Sequence, residues 1–195
     1  MAVPNHLEDP WTRVRTINDF PADEVISSLQ KEIRRGNTEN AAMLAYEMVN
    51  TSPELEAYLW GRLQVISVED VGYGNLNAPV LIETLFQMHQ RIPRPRHDRY
   101  LFAIHAVRVL SESQKERGTD DLLNWIRHAT DEEGKLPVIP DYAIDMHTRR
   151  GQEMGRDYTH FLTEASKVSP ELSTRDTTYR DRLLALTKKA DDSSG

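Results

Sequence analysis

Pro21-Ala22-Asp23-Glu24-Val25-Ile26-Ser27-Ser28-Leu29-Gln30-Lys31-Glu32-Ile33-Arg34-Arg35-Gly36 is the stretch on which the fold turns. Val25, Ile26, Leu29 and Ile33 recur at three- and four-residue steps, the period of a helix with one buried face. Pro21 suits a first helical turn, Asp23 and Glu24 complement the positive end of the dipole, and Asp19 is placed to accept from the free amides. Gly36 supplies the left-handed residue that closes such a helix. The spacing therefore predicts a helix over about 21–35.

The same punctuation continues downstream. A second helix is expected from about Thr38 to Val49, burying Ala41, Leu44, Ala45 and Met48, with two alanines that let a neighbour come close. Ser52-Pro53-Glu54 is a helix start, with a cap, a proline and an acid in order. The third helix carries Leu55, Leu59, Leu63 and Ile66 and stops by Gly72. Asn77-Ala78-Pro79 opens a fourth with Leu81, Leu85 and Met88 inside. Pro93 and Pro95 force a turn into a fifth, about Asp98 to Glu116, whose Leu101, Phe102, Ile104, Val107 and Leu110 make it the most buried of the set. Thr119 caps a sixth, with Leu122, Leu123, Ile126 and Ala129 inward.

After Gly134 the character changes. Leu136-Pro137-Val138-Ile139-Pro140 is barred from a helix by its prolines and is expected to lie extended over the helical body. A short helix is expected within Asp141 to Arg150, another capped by Asp157 from Tyr158 to Lys167, and a last one from Asp176 to Lys189. With no strand alternation and no repeat of fixed period, the fold class is all-α. We expect a single helical-bundle domain of about six core helices, an extended proline-containing segment and peripheral C-terminal helices. The expected divisions are an extended arm over 1–20 pinned by Trp11, Val14 and Ile17, a helical domain over 21–168, a peripheral helix over 169–189, and a disordered tail over 190–195.

Composition narrows the function classes. The chain has 195 residues, 38% hydrophobic and 28% charged, the balance of a globular domain. It has no cysteine, which removes disulfides, thiol nucleophiles and cysteine-held metals. A net charge of -7 opposes non-specific coating of nucleic acid but leaves room for a local basic patch. No apolar run is long enough to span a bilayer, and the N-terminus carries no basic-then-apolar leader, so a cytoplasmic location is expected.

No G-x-x-x-x-G-K-[ST] phosphate loop is present, and Gly72-Tyr73-Gly74 lacks the third glycine of a dinucleotide fingerprint, so neither ATPase activity nor any cofactor is expected. Glu69-Asp70 suits pairing with arginines such as Arg62 better than metal ligation. His97-Asp98 matches the pair of HD-type phosphohydrolases, with His89, Asp120 and Asp121 as the remaining candidates; capping of the fifth helix explains it more simply, and no metal is expected. Arg91, Arg94, Arg96 and Arg99 form a basic loop stiffened by prolines, suited to phosphate or to an acidic partner, and equally to a solvated loop. Asp145, His147, Thr148, Arg149, Arg150 and Arg156 cluster with Gly151 and Gly155. Glycines let backbone approach a ligand and arginines bind phosphate; the same residues also suit the end of a helix.

The order of these segments resembles the C-terminal helical domain of the MgsA/RarA family, replication-associated recombination ATPases of the AAA+ clamp-loader clade. The resemblance rests on Ser28 to Gly36 followed by an alanine-containing helix, on Arg62 to Gly72 with its Ser67, Glu69, Asp70 and Gly72, and on Leu136 to Pro140. It covers roughly residues 21–165. Only about twenty residues precede that span here, so ATP hydrolysis is not carried over. What the resemblance implies is a helical fold, self-association as a dimer or tetramer, and a link to DNA replication, recombination or repair. The expected function is a non-enzymatic, self-associating module acting through a protein or DNA partner. The alternative is a small phosphate- or nucleotide-binding protein or enzyme built on Asp145 to Arg156.

Overall fold

A computed structural model describes residues 8–192, with side chains described as far as residue 187. The first seven residues of the expected arm and residues 193–195 of the expected tail lie outside that range. The described residues are all-α, with no strand among them beyond an isolated bridge between Arg15 and Pro21. The chain divides into two compact units, 1–135 and 136–195. That boundary falls inside the 21–168 range expected as one domain, at the proline-containing segment where no helix can form.

In the first unit, α1 (Ala22–Arg35) buries Ala22, Val25, Leu29 and Ile33. Its start differs from expectation. Pro21 is the cap and no side chain closes it, while Asp19 turns the chain at φ 63° ahead of the helix. Gly36 closes it in the left-handed region at φ 75°: its N–H donates to Ile33 O (3.1 Å) and Asn37 N–H donates to Glu32 O (2.9 Å). α2 (Thr38–Thr51) presents Ala41 and Ala45 inward and packs against both α1 and α5 (Asp98–Glu112). Trp11 and Val14 of the arm pack on this core, whereas Ile17 is exposed.

α3 (Pro53–Ile66) is capped by Ser52, whose hydroxyl accepts from Leu55 N–H at 3.1 Å, and it buries Leu55, Leu59, Leu63 and Ile66 as its spacing demands. A π-helical turn, Ser67–Val71, extends it to Gly72. α4 (Ala78–Gln90) is rotated from the expected face: Ala78, Ile82 and His89 point inward, and Leu81 and Met88 are exposed. The inward demand of His89, described below, sets that rotation. α5 ends at Glu112 and buries Ala103, Ala106, Val107, Leu110 and Ser111, leaving Leu101 exposed. Small residues let it sit deep in the bundle, which its largest side chains would not.

α6 (Gly118–Asp131) departs most from expectation. It starts one residue before Thr119, with the Gly118 N–H held by Glu116 Oε1 at 2.7 Å. Ala129 is its only buried residue among those described; Leu122, Leu123, Trp125 and Ile126 are about half exposed.

In the second unit, Leu136–Pro140 is non-helical as expected, but Leu136, Val138 and Ile139 are exposed instead of covered. A 3-10 turn, Asp141–Ala143, precedes α7 (Arg149–Glu153). α8 (Tyr158–His160) runs into a π-helical turn, Phe161–Ala165, and Asp157 caps it by accepting from His160 N–H at 3.0 Å. α9 (Thr178–Asp192) passes the expected end at Lys189 and takes in the first residues assigned to the tail. Ile144 and Leu162 are the buried apolar side chains here.

Candidate functional site

The expected helix over Asp141 to Arg150 does not form because Asp145 competes for it. Its Oδ1 accepts from His147 N–H at 3.0 Å and its Oδ2 from His147 Nδ1 at 2.9 Å, a local turn that replaces the helical ladder. Thr148 then caps α7: its hydroxyl donates to Asp145 O and accepts from Gly151 N–H, each at 3.0 Å. Glycine is required at 151, since a Cβ there would stand 1.9 Å from Asp145 O. Gln152 donates to Met146 O at 2.9 Å. Arg156 braces the other side, donating to Asp141 O (2.5 Å), Ile144 O (2.6 Å) and both Asp141 carboxylate oxygens.

Hence the cluster is not one basic patch. Arg156 is a staple, 14% exposed at its side chain. Its hydrogen bond to Asp141, with the charges of Arg156, His160 and Arg150, holds that carboxyl below the ordinary range. The Asp145 carboxyl is likewise held low, first by the His147 ring and then by its N–H. What faces outward is His147 (63% exposed at its side chain), Arg149 (91%) and Arg150. Arg149 carries one exposed i,i+4 pair with Glu153 at 3.3 Å.

The basic loop before α5 divides in the same way. Arg94 donates to Glu56 Oε2 (2.7 Å) and Val49 O (2.8 Å), and Arg99 donates to Glu56 Oε1 (2.7 Å), His89 O (3.0 Å) and Ile92 O (2.5 Å). Glu56, buried on α3, takes a further bond from His89 Nε2 at 2.7 Å. Burial alone would raise the Glu56 pKa; the hydrogen bonds and charges of His89 and Arg99 outweigh it and lower the carboxyl to about 2. Only Arg91 and Arg96 of the four remain exposed, Arg96 beside Asp98 at 3.8 Å. Because His89 faces Glu56 in the core, it does not converge on His97-Asp98, so the HD-type arrangement is not assembled.

Glu69 and Asp70 meet arginines, Arg62 among them, as expected. Asp70 is wholly buried, bonded by Arg34 Nε at 2.5 Å, by Arg117 and by Gln30 Nε2 at 2.9 Å. Arg117 also holds Asp120, so this network fastens the start of α6 to the body.

Residues that the sequence reading missed are Glu56, Gln30, Arg34 and Arg117. Glu56 left one signal, a carboxylate beside Leu55 on a stripe bound for the core. Two grooves of about 650 and 610 Å³ lie in the first unit, the larger lined by Phe20, Met43, Leu44, Tyr46 and Ile104, the other by Trp11, Tyr58 and Val65; neither includes a residue of 141–156. No protein-family model matches this sequence, and comparison with curated proteins finds no significant match.

Proposed function

We propose that this chain is a non-enzymatic, self-associating helical module, assembled through the apolar face of α6 and meeting DNA phosphates with Arg149 and Arg150. The observation that carries the assembly is the half-exposed set Leu122, Leu123, Trp125 and Ile126 on a helix fastened to the body chiefly at its ends. An apolar face of that width is the signature of a helix with a partner. Covering each such side chain contributes roughly 1 kcal/mol, set against the translational and rotational freedom lost on association. The occupant is a second copy. In an antiparallel, two-fold pair, Asp121 of one α6 stands beside Arg127 and His128 of the other, twice over by symmetry.

Trp60 takes no part in such a surface: it is 1% exposed and packs against the Phe86 and His89 rings in the core. The DNA link rests on the MgsA/RarA resemblance and on the outward pose of Arg149 and Arg150. The two grooves described above are lined by residues outside 141–156, which favours this reading over small-molecule turnover there. Size-exclusion chromatography with light scattering, with and without duplex DNA, tests it. A mass above 22.4 kDa at micromolar concentration, rising on addition of DNA, is expected; a monomer indifferent to DNA removes the proposal.

A further inference from the structure

The His147 ring is held on two sides. Its Nδ1 lies 2.9 Å from Asp145 Oδ2, and its ring packs edge-to-face with Phe161 at a centroid distance of 5.1 Å. Asp145 is itself 8% exposed, and Thr148 and Gln152 fix the backbone on either side of the imidazole. An ionised carboxylate only accepts, so Nδ1 carries the proton and Nε2 the lone pair. Nε2 makes no hydrogen bond among the described residues, and the side chain is 63% exposed. The imidazole is therefore oriented and backed by a buried carboxylate, with its basic nitrogen presented outward.

That arrangement lacks what a self-contained enzyme needs. The Thr148 hydroxyl of the same turn is engaged at both donor and acceptor, and neither of the two grooves described above includes the ring. A projecting imidazole instead suits a group that enters another molecule's active site, or receives a small reactive donor from solvent. Arg149 and Arg150 follow in sequence and project into solvent, a setting that favours a dianionic product.

We propose that His147 is a phosphoryl-acceptor site, modified at Nε2 by a donor of the phosphoramidate or acyl-phosphate class. The Nε2 lone pair attacks phosphorus, the N–P bond forms, and the bond from phosphorus to the leaving atom breaks. That electron pair departs with the leaving group, ammonia in the case of phosphoramidate. The positive charge that develops on the ring is met by Asp145, which keeps its hydrogen bond from Nδ1–H throughout.

The chain contains seven histidines, and two of them are internal controls: His97 and His105 are exposed, with no carboxylate on their rings among the described residues. Incubating the full chain with potassium phosphoramidate, then mapping acid-labile phosphoryl groups by peptide mass spectrometry at alkaline pH, compares them directly. His147 is expected to label about tenfold faster than His97 and His105. Asp145→Asn brings its rate down to theirs, and His147→Gln removes the site without altering the other two. A monomeric α6 variant labels as the parent does, which separates this inference from the assembly reading. Labelling of His147 no faster than the controls, or unchanged by Asp145→Asn in a chain with native circular dichroism, overturns the proposal.

Discussion

Two sets of arginines that look alike in the sequence, 91–99 and 149–156, are put to different uses. In the first, Arg94 and Arg99 turn inward onto Glu56 and onto backbone carbonyls, closing a buried network with His89. In the second, Arg156 alone turns inward while Arg149 and Arg150 stand in solvent. The difference lies in the acid available. Glu56 is a buried carboxylate that has to be paired, so it draws in every donor within reach. Asp145 is already satisfied by His147 from the same turn. A basic cluster is a binding surface only where the fold has no prior need of it.

Removing the acid should therefore hurt far more in one region than in the other. Glu56→Ala leaves His89 and Arg99 buried and uncompensated, and is expected to cost about 3–5 kcal/mol in urea or guanidinium unfolding. A loss below 1 kcal/mol would show that the network contributes no stability. Acid titration sharpens the same point. Glu56 has a folded pKa of about 2, below its unfolded value near 4.5. Its contribution is complete above about pH 4.5 and is lost as the pH falls toward 2, a slope that Glu56→Gln should abolish.

Asp70→Asn is next in size. It weakens the hold of Arg34 and Arg117 at a wholly buried carboxylate, with an expected loss of about 2–3 kcal/mol. Because Arg117 also binds Asp120, hydrogen exchange at the start of α6 should quicken more than exchange in α2. Equal protection in the two helices would detach Asp70 from the mounting of α6.

Arg156→Ala removes donors from the Asp141 and Ile144 carbonyls, and about 1–2 kcal/mol of local stability in the second unit is expected to go with them. The double substitution Arg149→Ala/Arg150→Ala lies at the other extreme. Both side chains are exposed, so the melting temperature should move by no more than about 2 °C. The salt dependence of duplex-DNA affinity should flatten by about two units of slope, alike for every DNA sequence. A large stability loss with unchanged DNA binding would place these arginines in structure alone.

The comparison also shows what the sequence makes legible. Helix boundaries marked by proline, glycine and small polar caps, such as Ser52-Pro53 and Gly36, stand where expected because local chemistry determines them. Burial was legible where an apolar stripe met no competing demand, as on α1 and α3. It failed on α4, where the Glu56–His89 pairing turns the helix, because a partner more than thirty residues away leaves no local trace. It failed on α6 for the opposite reason. An amphipathic pattern states that a face will be covered, not whether the cover comes from the same fold. In the candidate site, Asp145, His147 and Thr148 were marked by residue type, but the division of Arg156 from Arg149 and Arg150 depends on which carbonyls the turn exposes.

The central claim is that the apolar face of α6 is covered by a second copy. Sedimentation velocity over a micromolar concentration series, on the parent chain and on Leu122→Glu/Ile126→Glu, tests it most directly. The account predicts a parent species heavier than 22.4 kDa that dissociates on dilution, and a doubly substituted chain that stays at 22.4 kDa with an unchanged melting temperature. A parent that sediments as a 22.4 kDa monomer throughout, or a variant that associates as the parent does, contradicts it.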